Sequence, residues 1–532
     1  MILLSVSLFA IILFYLPVML RNWFFSDDLH WISVSATHTL REMFFVPERG
    51  RSLASNFTPM LGASFKIDWI LFKMNPAGYS IHSLLSLGAA LAAFYFFLRL
   101  YVQRNAALFG VLFFLLSPIT LTVTSWFSTR HYIEGLFWAL LSLSFFAVAE
   151  RKDKISVPAA ACYLISALNK EVYVVLPAVA FLVSSGNFSR RLKHTLPLWL
   201  CLALYAVWRV WIMGGLGGYP SNQHLSLGVV PYLLQKICAS FSVQWLGGYS
   251  LLFYIFIFIL VVFAFSLKKW TIFIIFLVLS LPVLPVANIL TGRYFLPLTV
   301  FLICAVCLSL GQPDDGRRKI YKSVLLFTSL LILAAFIRQD MGLSTVTQNE
   351  RLKAKETAAA FASSEGKYFL PEQPHWFYES LRAINKEFFG KEIRTLLVPQ
   401  KDLLAYASAE QLREIKESGI NIPYNEMLEH QKRFRQGPLA IHLKLENYKI
   451  SWDFGPHKDS VYTFLFGPLS GLYYYSTDLG ASGKYMLGRT NKDNAPDKVF
   501  FRVLYRDRDG VEVVSPEFEF SVPGSQKIEY SN

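Results

Sequence analysis

Two carboxylates stand side by side in Phe25-Ser26-Asp27-Asp28-Leu29-His30-Trp31, directly after the first apolar run of the chain. At a bilayer surface, adjacent carboxylates repel each other and are costly to desolvate, so water or a cation must reach them. The bland alternative is a solvated loop. Four further features lie at the ends of apolar runs. Arg49 and Arg51 follow the acidic pair. Ser125-Trp126-Phe127-Ser128-Thr129-Arg130-His131, Asn169-Lys170-Glu171 and Thr291-Gly292-Arg293-Tyr294-Phe295-Leu296-Pro297 each join two runs. Singly, each has an ordinary explanation: Lys170 and Glu171 could pair or snorkel, Arg293 could cap a helix, and His131 could be an interfacial histidine. Together, with Trp126, Tyr132, Tyr173 and Tyr294 around them, they suit a ligand carrying a phosphate and a polar headgroup on a lipid tail. Arg would bind the phosphate bidentately and Lys as a point charge.

The elements that must position these residues are membrane helices. Of the 532 residues, 54% are hydrophobic, 16% aromatic and only 17% charged, against about 25% charged in soluble domains. The net charge of +14 does not indicate nucleic acid, because Lys and Arg fall in short clusters between apolar runs, which is a topology signal. Such clusters can also contact anionic lipid headgroups. Apolar runs at 2–20, 80–98, 106–124, 134–149, 155–169, 171–186, 195–213, 250–267, 270–290, 294–310 and 321–338 predict about eleven spans. The runs at 155–169 and 171–186 are short for a full crossing. Residues 2–20 are read as a retained first span.

The breaks after even-numbered spans carry Arg99 and Arg104; Arg151, Lys152 and Lys154; Arg190, Arg191 and Lys193; Lys268 and Lys269; and Arg317, Arg318 and Lys319. This distribution predicts a cytoplasmic N-terminus, an external C-terminus, and an Asp27–Asp28 loop on the outer side. That first outer loop, 21–79, holds an apolar stripe of Leu61, Phe65, Trp69 and Phe72, read either as an interfacial helix or as one packed on the bundle. A second long outer loop, 214–249, opens with Gly214-Gly215-Leu216-Gly217-Gly218 and continues into a helical stretch, Pro231 to Trp245.

The fold class is therefore a polytopic α-helical membrane protein with a C-terminal extracytoplasmic α+β, β-sandwich-like part. The predicted division is a membrane domain over 1–340, an α+β linker over 341–437 and a small β-rich domain over 438–532. Helices are expected near 346–365, 374–389 and 408–418. Strands are expected at Leu439–Leu445, Val461–Phe466, Leu472–Tyr475, Phe500–Tyr505 and Val511–Val514, with Asp509-Gly510 as a hairpin turn. This soluble part contains no cysteine and is read as a binding or packing module. Asn56-Phe57-Thr58 fits an N-glycosylation sequon.

An acidic pair after the first span, an amphipathic helix, and Asn75-Pro76-Ala77-Gly78-Tyr79-Ser80-Ile81-His82 entering span two resemble the GT-C membrane glycosyltransferases. Within that superfamily, the order of these motifs resembles the protein O-mannosyltransferase-like and tetratricopeptide-associated O-mannosyltransferase-like group. Pro118 with Trp126, Ser128 and Arg130, then Asn169-Lys170-Glu171, then Gly292-Arg293-Tyr294-Phe295-Leu296-Pro297, resemble later landmarks of that group. The resemblance covers about residues 1–340, and the C-terminal part, which lacks visible tetratricopeptide repeats, departs from some members.

The resemblance implies an enzyme that transfers a sugar, with inversion, from a polyprenyl-phosphate donor to an extracytoplasmic protein, lipid or polysaccharide. The expected location is the inner membrane of a bacterium. It implies that Asp27 or Asp28 is the general base, with Asp28 slightly preferred. Arg130, His131, Lys170, Glu171, Arg293 and Tyr294 would bind the substrate and its lipid phosphate, and a divalent cation is possible at the acidic pair. Two rivals remain: a transporter or flippase of a lipid-linked saccharide, which would share the cavity and cations, and a non-catalytic membrane scaffold whose outer β-domain binds a partner.

Overall fold

The computed structural model describes residues 11–531 apart from 47–56, 214–229, 267–270, 287–290, 312–315, 364–367, 370–376, 379, 382–395, 400, 436–437, 447–448, 457–461, 468–472, 480, 487–497, 507–511 and 522–524. The Gly214–Gly218 run, Arg49, Arg51, Asn56 of the sequon, the Asp509-Gly510 turn and most of the expected 374–389 helix lie outside the described residues. The chain divides into two compact units. One comprises Met1–Asp28, Phe57–Leu216 and His224–Lys353, and the other comprises Leu29–Asn56, Gly217–Gln223 and Ala354–Asn532.

Among the described helices of the first stretch are α1 (Leu16–Leu20), α2 (Asp28–Thr37), α3 (Pro59–Phe72), α4 (Pro76–Arg99), α5 (Arg104–Leu115), α6 (Pro118–Ser125), α7 (Arg130–Arg151), α8 (Val157–Asn169), α9 (Leu176–Val183) and α10 (Phe188–Met213), with a short helix at Leu40–Phe45 between α2 and α3. They are followed by α11 (Val230–Leu246), α12 (Ser250–Ser266), α13 (Thr271–Ser280), α14 (Leu296–Leu310) and α15 (Gly316–Ser363). Among the described residues, six helices are long and apolar enough to cross a membrane. They become seven if the bent pair α5–α6 is one span. The chain is accordingly an integral membrane protein.

The sequence expectation of about eleven spans exceeds this number for local reasons. The run at 106–124 is broken at Leu116-Ser117, where Pro118 cannot continue the α5 hydrogen bonds and the axis turns by 58°. The pair at 155–186 forms helices too short to cross, Val157–Asn169 and Glu171–Val183. The stretch Pro231–Trp245, expected in an outer loop, instead continues through a 3-10 turn into α12, so that Gln235–Val262 is one apolar helix. Residues 1–10 of the first expected span lie outside the described residues.

Helix contacts in this unit use small and hydroxylated residues, as expected where lipid removes the hydrophobic incentive between helices. Gly135 of α7 lets Tyr173 approach: a Cβ there would lie 2.5 Å from the Tyr173 ring. Ser142 donates to the Ala159 carbonyl (2.8 Å), Ser166 to the Gly135 carbonyl (2.8 Å) and Tyr173 to the Tyr132 carbonyl (2.5 Å). These bonds fix α7 against α8 and the turn that follows it. In α3, Leu61, Phe65 and Trp69 are buried while Ile67, Ile70 and Leu71 are exposed, so the stripe packs on the bundle and an equally apolar face remains outside. Where α4 and α7 end, the chain is basic. Arg151 donates to the Leu100 carbonyl (2.7 Å), and Asp153 is bracketed by His194 (2.9 Å), Arg190 (3.3 Å) and Lys193 (3.7 Å). The five cysteines are free.

In the second unit, α16 (Ala409–Glu417) and α17 (Tyr424–Gln431) precede nine strands: β1 (Ala440–Glu446), β2 (Lys449–Gly455), β3 (Tyr462–Gly467), β4 (Tyr475–Leu479), β5 (Ser482–Met486), β6 (Lys498–Arg506), β7 (Glu512–Val514), β8 (Phe518–Ser521) and β9 (Ser525–Ser531). One antiparallel sheet has the order β9-β1-β2-β5. A second antiparallel sheet has the order β8-β6-β3-β4, with β7 also pairing with β6, and a separate short parallel pair joins Tyr368–Phe369 to Leu396–Leu397. Ile441, Leu443, Trp452 and Phe454 of the first sheet share one core with Tyr462, Phe464, Phe501 and Val503 of the second, which is the packing of a β-sandwich. Leu465 and Leu504 point the other way and are covered by Leu403 and Tyr406, so the second sheet is buried on both faces.

Candidate functional site

Three successive pieces of sequence define the site: the turn Phe25–Asp28, the 3-10 turn Phe127–Thr129, and the start of α7. Ser26 adopts a left-handed backbone (φ +48°), a conformation uncommon for a residue with a Cβ. The turn closes when the Asp28 N–H donates to the Phe25 carbonyl (3.0 Å). The Asp28 carboxylate then accepts two backbone N–H groups, Phe25 through Oδ2 (2.9 Å) and Ser128 through Oδ1 (2.7 Å). Asp28 is completely buried, whereas Asp27 is half-buried and its carboxylate takes a long hydrogen bond from the Ser26 hydroxyl (3.4 Å). The two neighbours therefore differ: one carboxylate is enclosed and holds two chain segments together, and the other is presented.

A divalent cation at the pair would find few protein oxygens to complete its coordination. Both Asp28 oxygens are already hydrogen-bonded to the backbone, and hard cations want several converging oxygens. Among the described residues no group of three His, Cys, Asp or Glu side chains converges to hold a metal ion.

Burial pushes the Asp28 carboxyl up from 3.8 to about 6, against the opposing pull of Arg351 and of the Phe25 and Ser128 N–H groups. The sign for stability follows. Between these two values the folded chain binds the proton that the unfolded chain has released. The contribution of Asp28 to stability is therefore present below about pH 4 and is lost as the pH rises through about 6. We expect purified wild-type protein to lose on the order of 3 kcal/mol across this window through Asp28. Asp28→Asn, which does not titrate, should flatten that part of a plot of unfolding temperature against pH.

Arg130 is placed differently from the sequence expectation of a phosphate ligand. Its guanidinium is buried and paired inside the chain, to Asp68 (2.6 Å) and Glu134 (3.0 Å), and it donates to the Ser64 hydroxyl (2.7 Å). Asp68 also meets His82 Nδ1 (2.6 Å), and Glu134 accepts from Ser64 (2.8 Å). The result is a closed polar network between α3, α4 and α7. Asp68 and Glu134 were not singled out in the sequence, and His82 entered only as the last residue of the Asn75–His82 stretch. The available signal was the Arg130/Glu134 spacing of four on one helix.

His131, Lys170, Glu171, Arg293 and Tyr294 do come together on the other side of the α7 start. The His131 ring is buried and lies against Tyr132 (4.6 Å between centroids). Lys170 lies 5.5 Å from the Tyr132 ring and pairs with Glu171 (3.1 Å), which also takes Arg209 (2.8 Å). Tyr132 meets Tyr294 edge to face (6.1 Å). Arg293 stands 4.9 Å over the Trp126 ring and 5.5 Å over Tyr294. Trp126 in turn meets Phe25 (5.9 Å). An aromatic chain thus runs from the acidic turn to the cations, with Arg209 as a member that sequence reasoning missed.

Arg351 is a second missed residue. It sits on α15, eleven residues beyond the predicted limit of the membrane domain at 340, yet belongs to this unit. Its guanidinium lies 4.4 Å from the Phe25 ring and donates to the Ser125 carbonyl (3.3 Å).

No protein-family model matches the chain, and no curated protein matches it. Among solved structures, ArnT from Cupriavidus metallidurans bound to undecaprenyl phosphate aligns with a TM-score of 0.44 and 13% identity, covering 75% of this chain and 85% of that one. The same protein in the apo state aligns with a TM-score of 0.42 and 14% identity over the same shares of the two chains.

Proposed function

We propose that this chain is a GT-C-type membrane glycosyltransferase that moves a sugar from a polyprenyl-phosphate carrier to an acceptor hydroxyl on the non-cytoplasmic side. The observation that carries the proposal is a half-buried carboxylate, Asp27, in the same turn as Phe25, whose ring meets Trp126, the ring that bears Arg293. In the step this supports, the acceptor oxygen attacks the anomeric carbon and its proton passes to Asp27. The bond from that carbon to the phosphate oxygen breaks, and the electron pair leaves with the lipid phosphate. The configuration inverts. Arg293 and Lys170 stabilise the departing phosphate charge, so no acid is required. Lys170, Glu171 and Arg209 together carry one net positive charge, which leaves attraction for an anion. His131 and Tyr294 flank these cations through Tyr132, and Arg130 ties α3, α4 and α7 together. Asp28 is assigned to positioning and Asp27 to proton removal, reversing the slight sequence preference for Asp28.

A transporter of lipid-linked saccharide is the second reading, favoured by Asp340. This carboxylate is completely buried on α15, with both oxygens lacking a hydrogen-bond partner among the described residues. Sealed vesicles supplied with a labelled polyprenyl-phosphate sugar separate the two readings. Transfer predicts label in a new glycosidic product that resists mild acid. Label that crosses the membrane while still attached to the lipid phosphate, with no new product, would replace the transferase reading.

A further inference from the structure

We infer that Arg351 is a phosphate ligand for the lipid donor, and this rests on the transferase reading above. The argument begins with unmet hydrogen bonds. Arg351 is only 3% exposed, and its Nε and Nη1 have no hydrogen-bond partner among the described residues. Nη2 alone has one, the Ser125 carbonyl at 3.3 Å. A guanidinium remains charged at any physiological pH and carries five N–H donors in a rigid fork. Burying that charge with the Nε and Nη1 donors unmet is costly unless an acceptor arrives.

Asp28 is not that acceptor. The two groups attract each other electrostatically, but the Asp28 oxygens are held by the Phe25 and Ser128 N–H groups and no hydrogen bond joins the carboxylate to the guanidinium. The Arg351 fork is oriented by its stack on Phe25 and its bond to Ser125, so little ordering remains for a ligand to impose. Phe25 also contacts Trp126, which carries Arg293. Two guanidiniums therefore stand on one pair of touching rings, beside the presented Asp27. The matching ligand is a tetrahedral dianion or monoanion with several acceptor oxygens, and a phosphoester fits that description. The geometry separates the roles: Arg351 orders the phosphate through its fork, and Arg293 adds charge from the other ring.

The test uses full-length protein in phosphatidylcholine nanodiscs, with a short-chain polyprenyl phosphate and the corresponding uncharged polyprenol as probes. Wild-type protein should bind the phosphate at least about 10-fold more tightly than the alcohol, as expected for charge-assisted hydrogen bonds. Arg351→Gln should remove most of that preference while leaving polyprenol binding unchanged. Arg351→Lys, which keeps the charge and loses the fork, should give an intermediate preference and serves as the readout if the Gln variant does not fold. Equal loss of both lipids would mean that Arg351 is structural and would overturn the assignment. Undiminished preference in both variants overturns it too, without touching the transferase reading. A wild-type protein that does not distinguish the two lipids overturns both.

Discussion

Membranes carrying Asp27→Asn are expected to lose sugar transfer by about 10²- to 10⁴-fold, the usual contribution of a positioned general base, while donor binding and thermal stability stay near wild type. The asymmetry within the acidic pair motivates the expectation. Asp27 is half-buried and makes one long hydrogen bond, to the adjacent Ser26 hydroxyl, so an isosteric amide is tolerated structurally. Asp28→Asn should behave differently. An Asn side chain can accept only one of the two N–H groups that Asp28 takes from Phe25 and Ser128, and its own amide hydrogens would face the other. That variant should lower unfolding temperature and activity together, through a disturbed Phe25–Ser128 link. A transfer assay paired with thermal unfolding distinguishes the two. Wild-type rates in Asp27→Asn would remove Asp27 from the role of base.

The second large effect is on stability. Arg130→Met should destabilise the folded protein by about 3–5 kcal/mol, because it leaves the fully buried Asp68 and the partly buried Glu134 without their cation. The expected observation is low yield and a strongly lowered unfolding temperature, with lipid-phosphate binding retained in the protein that does fold. Changing the partners as well, with Asp68→Asn and Glu134→Gln, should recover much of the loss, because residues in one network are not additive. Loss of lipid-phosphate affinity with unchanged stability would instead return Arg130 to the role first expected of it.

The acidic pair, the aromatic Ser125–His131 segment, Lys170-Glu171 and Arg293 were legible in the sequence because charge stands out at the ends of apolar runs. Their partners were not. Whether Arg130 meets a phosphate or a carboxylate depends on which way it leaves the first turn of α7. Asp68, on α3, was overlooked inside a stripe read for its apolar residues. Arg351 was hidden for another reason. The span at 321–338 and the helix at 346–365 were read as separate elements, but no proline interrupts the chain between Pro313 and Pro371. Both belong to α15, a single helix from Gly316 to Ser363, and residues just past the apolar stretch remain part of the membrane unit. Strands β1, β3, β4, β6 and β7 were anticipated at least in part, whereas β2, β5 and β8 were not, although Ile450, Trp452 and Phe454 of β2 alternate with polar residues. The edge strand β9 was missed because only Ile528 and Tyr530 mark its inner face.

The 3-10 turn at Phe127–Thr129 leaves the chain no slack. Within four residues, the Ser128 N–H reaches Asp28, the Arg130 side chain enters the α3–α4 network, and the His131 ring turns toward Tyr132. A single-residue insertion here would rotate everything that follows by about 100°. It would break three attachments at once, since helix register alone decides which partner each side chain meets. A substitution in this stretch disturbs one attachment, as at Arg130, whereas a change in its length disturbs all three. Any functional relative should therefore differ here in residue type and not in spacing.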